Sequence, residues 1–136
     1  MIRDVTDLEV HQRALELLDQ IYTLIKVIPM SHFKLRKQIS EAAESIAPLI
    51  AEGFAKKRSV KEFKRFLEMA LGSSDEVVSH LRVAQILAKH YPKIPVERCN
   101  QLIIEYKIIS KKLQKLIDNW VMYPSSVISL PSSGQG

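Results

Sequence analysis

The side chains best suited to chemistry in this chain are four histidines, and their spacing fits none of the usual metal sites. A helical zinc site needs two histidines one turn apart, and a di-iron helix bundle needs Glu-x-x-His on two helices. Glu76 and His80 are one residue too far apart for that motif, and the sequence contains no second copy of it. We therefore expect no metal site and no cofactor, and we interpret His11, His32, His80 and His90 as surface residues.

The other reactive side chains have no evident partner in the sequence. Cys99 is the only cysteine, so no internal disulfide can form, as expected of a protein in a reducing cytoplasm. Glu52 and Glu76 could do acid–base chemistry only if they were adjacent, and hydrogen bonding at a helix end or a subunit contact is the simpler interpretation. We predict that the protein is not an enzyme and has no catalytic residue; a metal-free RNA hydrolase is retained as an alternative.

The length and composition describe a single globular domain in the cytoplasm. The chain has 136 residues, of which 46% are hydrophobic and 26% are charged. Its first residues contain no basic segment followed by an apolar run, so they do not resemble a signal peptide. No stretch approaches the roughly 18 apolar residues of a membrane helix, so we expect no membrane partner.

Basic residues are concentrated in one short segment between two helical patterns. This segment, Lys56–Arg65, carries six positive charges and one acid, Glu62, and we call it the elbow. A second group of lysines repeats every four residues later in the chain. With a net charge of +5, such surfaces attract phosphate chains with little regard to base sequence. The predicted nucleic-acid-binding residues are Lys56, Lys57, Arg58, Lys61, Lys64, Arg65, Lys107, Lys111 and Lys115.

An alternative interpretation of these basic residues is a set of solvated faces that keep the protein soluble. Few aromatic residues could stack on bases, and the candidates are Phe54 and Phe33. We expect both rings to be packed in the protein, so base-specific recognition is not expected. The nucleic-acid interpretation predicts binding to structured RNA or RNA–DNA hybrids with a steep dependence on salt.

Apolar residues recur at alternating spacings of three and four along four segments, which predicts four amphipathic helices in a left-handed bundle. The predicted apolar seams run over Val10–Ile28, Leu35–Gly53, Phe63–Ala88 and Leu102–Trp120. Because the connections are short, we predict an all-α, up-down-up-down antiparallel four-helix bundle over residues 1–123. Residues 124–136 are rich in serine, proline and glycine and are predicted to form a flexible tail.

Several residues predict where these helices begin and end. The predicted N-terminal caps are Thr6 with Glu9, Ser31, and Ser59 with Glu62. Gly53 is expected to end the second helix, and Pro48, inside the same helix, is expected to kink it.

The first and fourth helices carry more apolar surface than a single small bundle needs, because the solvent face of each helix should be polar. We interpret the extra stripe as a homo-oligomer interface; a wide buried stripe with scattered exposed residues is the alternative. The predicted interface residues are Leu15, Leu18, Tyr22, Ile25, Ile104 and Ile108, with Ile103 beside them. Gly72 supports this interpretation, because glycine inside a helix costs about 1 kcal/mol relative to alanine and a close backbone approach would offset that cost.

Six short motifs occur together in this chain: Leu8-x-x-x-x-x-Ala14, Leu35 with Gln38-Ile39, Ala43-x-Ser45-Ile46, Ile50-Ala51-Glu52-Gly53, Lys61-Glu62-Phe63-x-x-Phe66-Leu67 and Ala70-x-Gly72-Ser73-x-x-Glu76. In this combination the chain resembles the small bacterial four helix bundle protein family. That family includes proteins encoded in intervening sequences of large-subunit ribosomal RNA genes and is related to the accessory variability proteins of diversity-generating retroelements. The resemblance implies a homopentamer and, in the retroelement branch, binding to RNA or DNA and to a reverse transcriptase.

These observations predict a non-enzymatic, basic, oligomeric scaffold that binds RNA or an RNA–DNA hybrid. By resemblance, it would also bind a reverse transcriptase, as an accessory factor of a diversity-generating retroelement. The alternative is a structural homo-oligomer encoded in a ribosomal RNA intervening sequence, with no retroelement role.

Overall fold

The computed structural model describes residues 4–120, and these residues form helices and no strand. The helices are α1 (Glu9–Glu16), α2 (Leu18–Ile25), α3 (Phe33–Ala55), α4 (Val60–Leu87) and α5 (Val96–Asn119), with short 3-10 turns at Val5–Asp7 and Met30–His32. Leu17 keeps right-handed helical dihedral angles, and its N–H donates to the Arg13 carbonyl at 3.1 Å, so α1 and α2 act as one helical segment. The predicted all-α fold with four helical segments is confirmed. The predicted tail lies outside the described residues.

The core is built from the predicted seams. All six seam positions of the first segment and all eight of α4 are buried, and α4 packs most extensively against α3 and α5. Two predicted positions are only partly buried, Leu49 and Leu116, and their neighbours Ile50 and Ile117 are buried instead. Ile103, which we expected on the outer stripe, is also buried. It lies one position after Leu102 and therefore falls at the edge of the core face rather than outside it.

The helix ends follow the predictions only in part. The Ser59 hydroxyl accepts the Glu62 N–H at 3.1 Å and caps α4, as predicted. The cap predicted at Thr6 is wrong, because Thr6 lies in a 3-10 turn and its hydroxyl donates to Asp4 at 2.7 Å. The cap predicted at Ser31 is also wrong, because another 3-10 turn precedes α3.

Gly53 does not end α3, which continues to Ala55, and instead lies buried against α4. A Cβ atom at this position would lie 2.9 Å from Phe66 Cβ and 3.1 Å from Phe63 Cδ1. The glycine therefore allows α3 and α4 to approach closely beside the elbow. Pro48 faces solvent and does not end α3; the kink expected there stays a prediction.

Serine side chains join three helices at the middle of the bundle. The Ser45 hydroxyl of α3 donates to Ser73 of α4 at 2.7 Å. On the other side of α4, the buried Ser74 hydroxyl donates to the Tyr106 carbonyl at 2.9 Å and lies 2.8 Å from the Ser110 hydroxyl, which donates to it. We call these residues the serine belt. Because each bond requires one alignment of two helices, the belt defines how α3, α4 and α5 are aligned.

Candidate nucleic-acid interface

The elbow comprises the short hydrogen-bonded connection between α3 and α4 and the first residues of α4. The Lys56 N–H donates to the Gly53 carbonyl at 2.9 Å, and the Ser59 N–H donates to the Lys56 carbonyl at 3.0 Å. These bonds, the Ser59 cap and the close helix approach at Gly53 hold the basic residues in one place. The geometry therefore positions a compact group of cations on an ordered backbone.

Two of the six elbow cations are held by neighbouring acids. Lys56 Nζ lies 3.7 Å from Glu52, and the Arg65 guanidinium lies 3.1 Å from Glu62. The hydrogen bonds from Arg65 hold the pKa of the Glu62 carboxyl below its usual value. Among the described residues, the other four cations form no ion pair and remain available to an external anion. They are Lys57, Arg58, Lys61 and Lys64.

Aromatic rings lie under three of the elbow cations. Lys57 Nζ is 4.4 Å from the centroid of the Phe54 ring, and Arg65 Cζ is 4.5 Å from that of Phe66, with Lys56 Nζ at 5.5 Å from the same ring. Such cation–π contacts restrict the positions of the side chains. Phe54 is buried, as expected, so it cannot stack on a base. The sequence reasoning did not assign Phe66 to this surface, although its position three residues after Phe63 could have indicated it.

The three α5 lysines predicted to bind nucleic acid are exposed and form no ion pair among the described residues. Their neighbour Lys112 differs, because its Nζ contacts Glu9 at 2.6 Å and ties α5 to α1. Ile104 and Ile108, two predicted interface residues, share the outward face with Lys107, Lys111 and Lys115, since they are three to four positions apart along the helix. A subunit contact that buries these isoleucines would therefore also cover the lysines.

The predicted interface stripe on the first segment is only partly free. Leu15 is exposed, but Leu18 and Ile25 already pack against the core of the same chain. Tyr22 is half-buried, and its hydroxyl donates to Glu44 at 2.6 Å, which raises the tyrosine pKa.

The exposed apolar residues gather mainly at another place, which sequence reasoning missed. Phe33, expected to be packed, is 63% exposed, and Met30 is 70% exposed. The sequence signal that could have indicated this surface is its charge, because residues 26–37 contain four basic residues and no acid.

Several side chains that could support catalysis have local contacts or are buried in the described part of the chain. Residues 4–120 contain no group of three or more metal-binding side chains. Cys99 is buried, and burial raises the pKa of its thiol, so the reactive thiolate is disfavoured. His11 is not a surface residue as expected but is buried, which lowers its pKa. Glu76 lies 3.3 Å from His80, and Glu52 pairs with Lys56.

No helix within residues 4–120 is both long enough and apolar enough to cross a membrane. No curated protein matches the sequence. The family model described as "23S rRNA-intervening sequence protein" matches residues 6–115, which include all six motifs, the elbow and the serine belt. Since this match covers most of the chain, the protein belongs to the 23S rRNA-intervening sequence protein family.

Proposed function

We propose that this protein is a non-enzymatic RNA-binding protein whose elbow contacts the phosphate backbone of structured RNA or an RNA–DNA hybrid. The observation that carries the proposal is the group of four unpaired cations at the α3–α4 connection and the start of α4. Phosphate contacts of this kind give affinity without base recognition, in agreement with the lack of an exposed ring over the cations.

The positions of Arg58 and Lys61 are not explained by folding stability. Lys56 and Lys57 follow the C-terminus of α3, where positive charge is favourable. Arg58 and Lys61 flank the Ser59 cap at the N-terminus of α4, where the helix dipole is itself positive. A positive charge there opposes the dipole by about 0.3 to 1 kcal/mol. Two residues that weaken the helix and point into solvent are better explained by binding to an anion.

Affinity for an RNA hairpin measured as a function of salt tests the proposal. Four phosphate contacts give a slope of log affinity against log salt of about −3 to −4. Replacing Lys57, Arg58, Lys61 and Lys64 by glutamine should reduce the slope towards zero. The matched control replaces the exposed Lys26, Lys37, Lys89 and Lys93, which removes the same net charge elsewhere. Equal losses in both variants, or full affinity of the elbow variant at low salt, would contradict the proposal. A third variant, with Lys107, Lys111 and Lys115 replaced, measures the share of α5.

The proposal includes a larger assembly in which copies of this antiparallel bundle form a homo-oligomer of five subunits. The contact between Phe63 at the start of α4 and Trp120 after α5, 4.2 Å between ring centroids, supports the antiparallel order. The exposed side chains of Leu15, Ile104 and Ile108 support a contact between copies. Mass measurement in solution tests the number of subunits.

Two biological settings fit such a protein, and gene position separates them. The family name favours a structural protein encoded in an intervening sequence of a 23S ribosomal RNA gene. The second setting is an accessory role in a diversity-generating retroelement, with a reverse transcriptase as partner. A gene within a ribosomal RNA locus supports the first, and an adjacent reverse transcriptase gene with an imperfect repeat supports the second.

A further inference from the structure

The connections at residues 26–37 and 82–98 meet and form a second surface, which we call the connection surface. The rings of His32 and Tyr91 lie edge to face with centroids 5.5 Å apart. A groove of about 450 Å³ lies between the start of α3 and the end of α4, with Leu35, Val83, Ile86 and Leu87 among its lining residues. The surface thus has a concave apolar centre.

Large apolar side chains remain exposed along the two connections, and Val83 and Ile86 among them line the groove. Single exposed apolar residues are common in soluble proteins, but a cluster of them marks an interaction site. The cluster holds most of the large apolar side chains that are exposed within residues 4–120: Val27, Met30, Phe33, Val83, Ile86, Tyr91 and Val96.

The same surface is more basic than the elbow. It contains eight arginine or lysine residues and one acid, Glu97. The basic residues are Lys26, Lys34, Arg36, Lys37, Arg82, Lys89, Lys93 and Arg98. Within the described part of the chain, only Lys37 has an acidic partner, Glu41, at a distance of 4.0 Å.

The combination of apolar groove and basic rim limits what can bind. A second copy meeting the first through this surface would bring like charges together, which is costly. A polynucleotide would satisfy the cations but would place phosphates and sugars against aliphatic side chains, which gains little. A flat lipid surface would not fill a groove. A protein segment with apolar anchors and acidic flanks fits both the apolar groove and the basic rim.

We propose that the connection surface binds an acidic amphipathic helix of another protein, at a site separate from the elbow. The groove lies between two helices whose backbone groups are already bonded internally, so it offers no sheet edge to an extended strand. Apolar side chains on one face of the partner helix enter the groove beside Val83 and Ile86. Its acidic side chains lie against Lys34 and Lys89.

The test uses a fluorescent synthetic helix of about 18 residues, five turns, with leucine along one face and glutamate on its flanks. Binding to the full chain is followed by fluorescence anisotropy. The variants Ile86→Ser and Phe33→Ser remove apolar surface from the site. Met69→Ser is the matched control, since Met69 is 44% exposed on α4 outside this surface and Ile86 is 58% exposed. Circular dichroism confirms that each variant is folded.

We expect Ile86→Ser and Phe33→Ser each to weaken peptide binding about tenfold, Met69→Ser to leave it unchanged, and a peptide with lysine in place of glutamate not to bind. RNA binding at the elbow should be unchanged by Ile86→Ser. The proposal is overturned if the acidic peptide does not bind up to about 1 mM, or if Met69→Ser weakens it as much as Ile86→Ser. It is also overturned if Ile86→Ser instead abolishes binding to phosphatidylserine-containing vesicles, to RNA, or to a second copy in sedimentation.

Discussion

Lys61 occupies the second position of α4, where its charge opposes both the helix dipole and Arg65 one turn later. At the scale of single residues, such positions separate function from stability, because a side chain that weakens the fold needs another explanation. Tyr106 is a second example. Its ring fills the core, but its hydroxyl is buried without a hydrogen-bond partner among the described residues.

Replacing Lys61 by glutamate should stabilise the protein by about 0.5 to 1 kcal/mol, because the new charge favours the dipole and attracts Arg65. The same change should weaken RNA binding. Chemical denaturation measures the first effect and fluorescence anisotropy the second. Loss of both stability and binding would show that Lys61 has a structural role, contrary to the proposal.

Replacing Tyr106 by phenylalanine should keep or raise stability at neutral pH, by up to about 1 kcal/mol, since a buried unpaired hydroxyl is removed. Burial raises the pKa of Tyr106, so the folded protein keeps the proton above pH 10, where an unfolded tyrosine loses it. The unfolded state is therefore favoured as pH rises above about 10. Denaturation from pH 8 to 11 should show a shallower loss in the variant, whereas the exposed Tyr91→Phe should match the parent.

At the scale of helices, periodicity predicted the core well, since the positions facing inward repeat with the helix itself. Phe63, Leu67 and Leu81 could be identified without knowing what they touch. The function of Gly53 could not be identified in this way, because a glycine near a helix end is also the residue expected at a C-terminal cap. Only the position of Phe66 across the elbow shows that the missing side chain matters.

The two helical glycines Gly53 and Gly72 should respond to alanine with opposite signs. Gly53→Ala forces a Cβ against Phe63 and Phe66 and should destabilise by about 1 to 3 kcal/mol, despite the better helix propensity of alanine. At Gly72, apart from the adjacent residues and the local helix backbone, no atom lies within 4 Å of the added Cβ, so Gly72→Ala should stabilise the fold by up to about 1 kcal/mol. Thermal denaturation checks both. If Gly72→Ala also weakens self-association, a neighbouring copy approaches this glycine, as the sequence predicts.

At the scale of the whole molecule, the basic surfaces have different surroundings. Three of the six elbow cations lie over aromatic rings, and the α5 lysines lie beside isoleucines. The connection surface surrounds an apolar groove. The sequence indicated the first two, because their residues are adjacent or regularly spaced. It could not indicate the third, since residues about 50 positions apart form it only when the helix ends meet. The prediction that Phe33 is packed was wrong for the same reason.

Salt should separate self-association from RNA binding. If copies meet through α5, the lysines beside Ile104 and Ile108 repel, and added salt screens this repulsion. Association measured by sedimentation should then strengthen with salt, while RNA affinity falls. Weakening of both by salt would indicate that acids of the neighbouring copy pair with the α5 lysines.

The serine belt has a mechanical consequence. Sliding α4 by half a turn, about 2.7 Å, would move the fully enclosed Ser74 hydroxyl away from its acceptor on α5 and would separate Ser73 from Ser45. The belt therefore opposes small shifts of the three long helices along their axes. A partner bound at one end would transmit such a shift to the other end only by breaking these bonds.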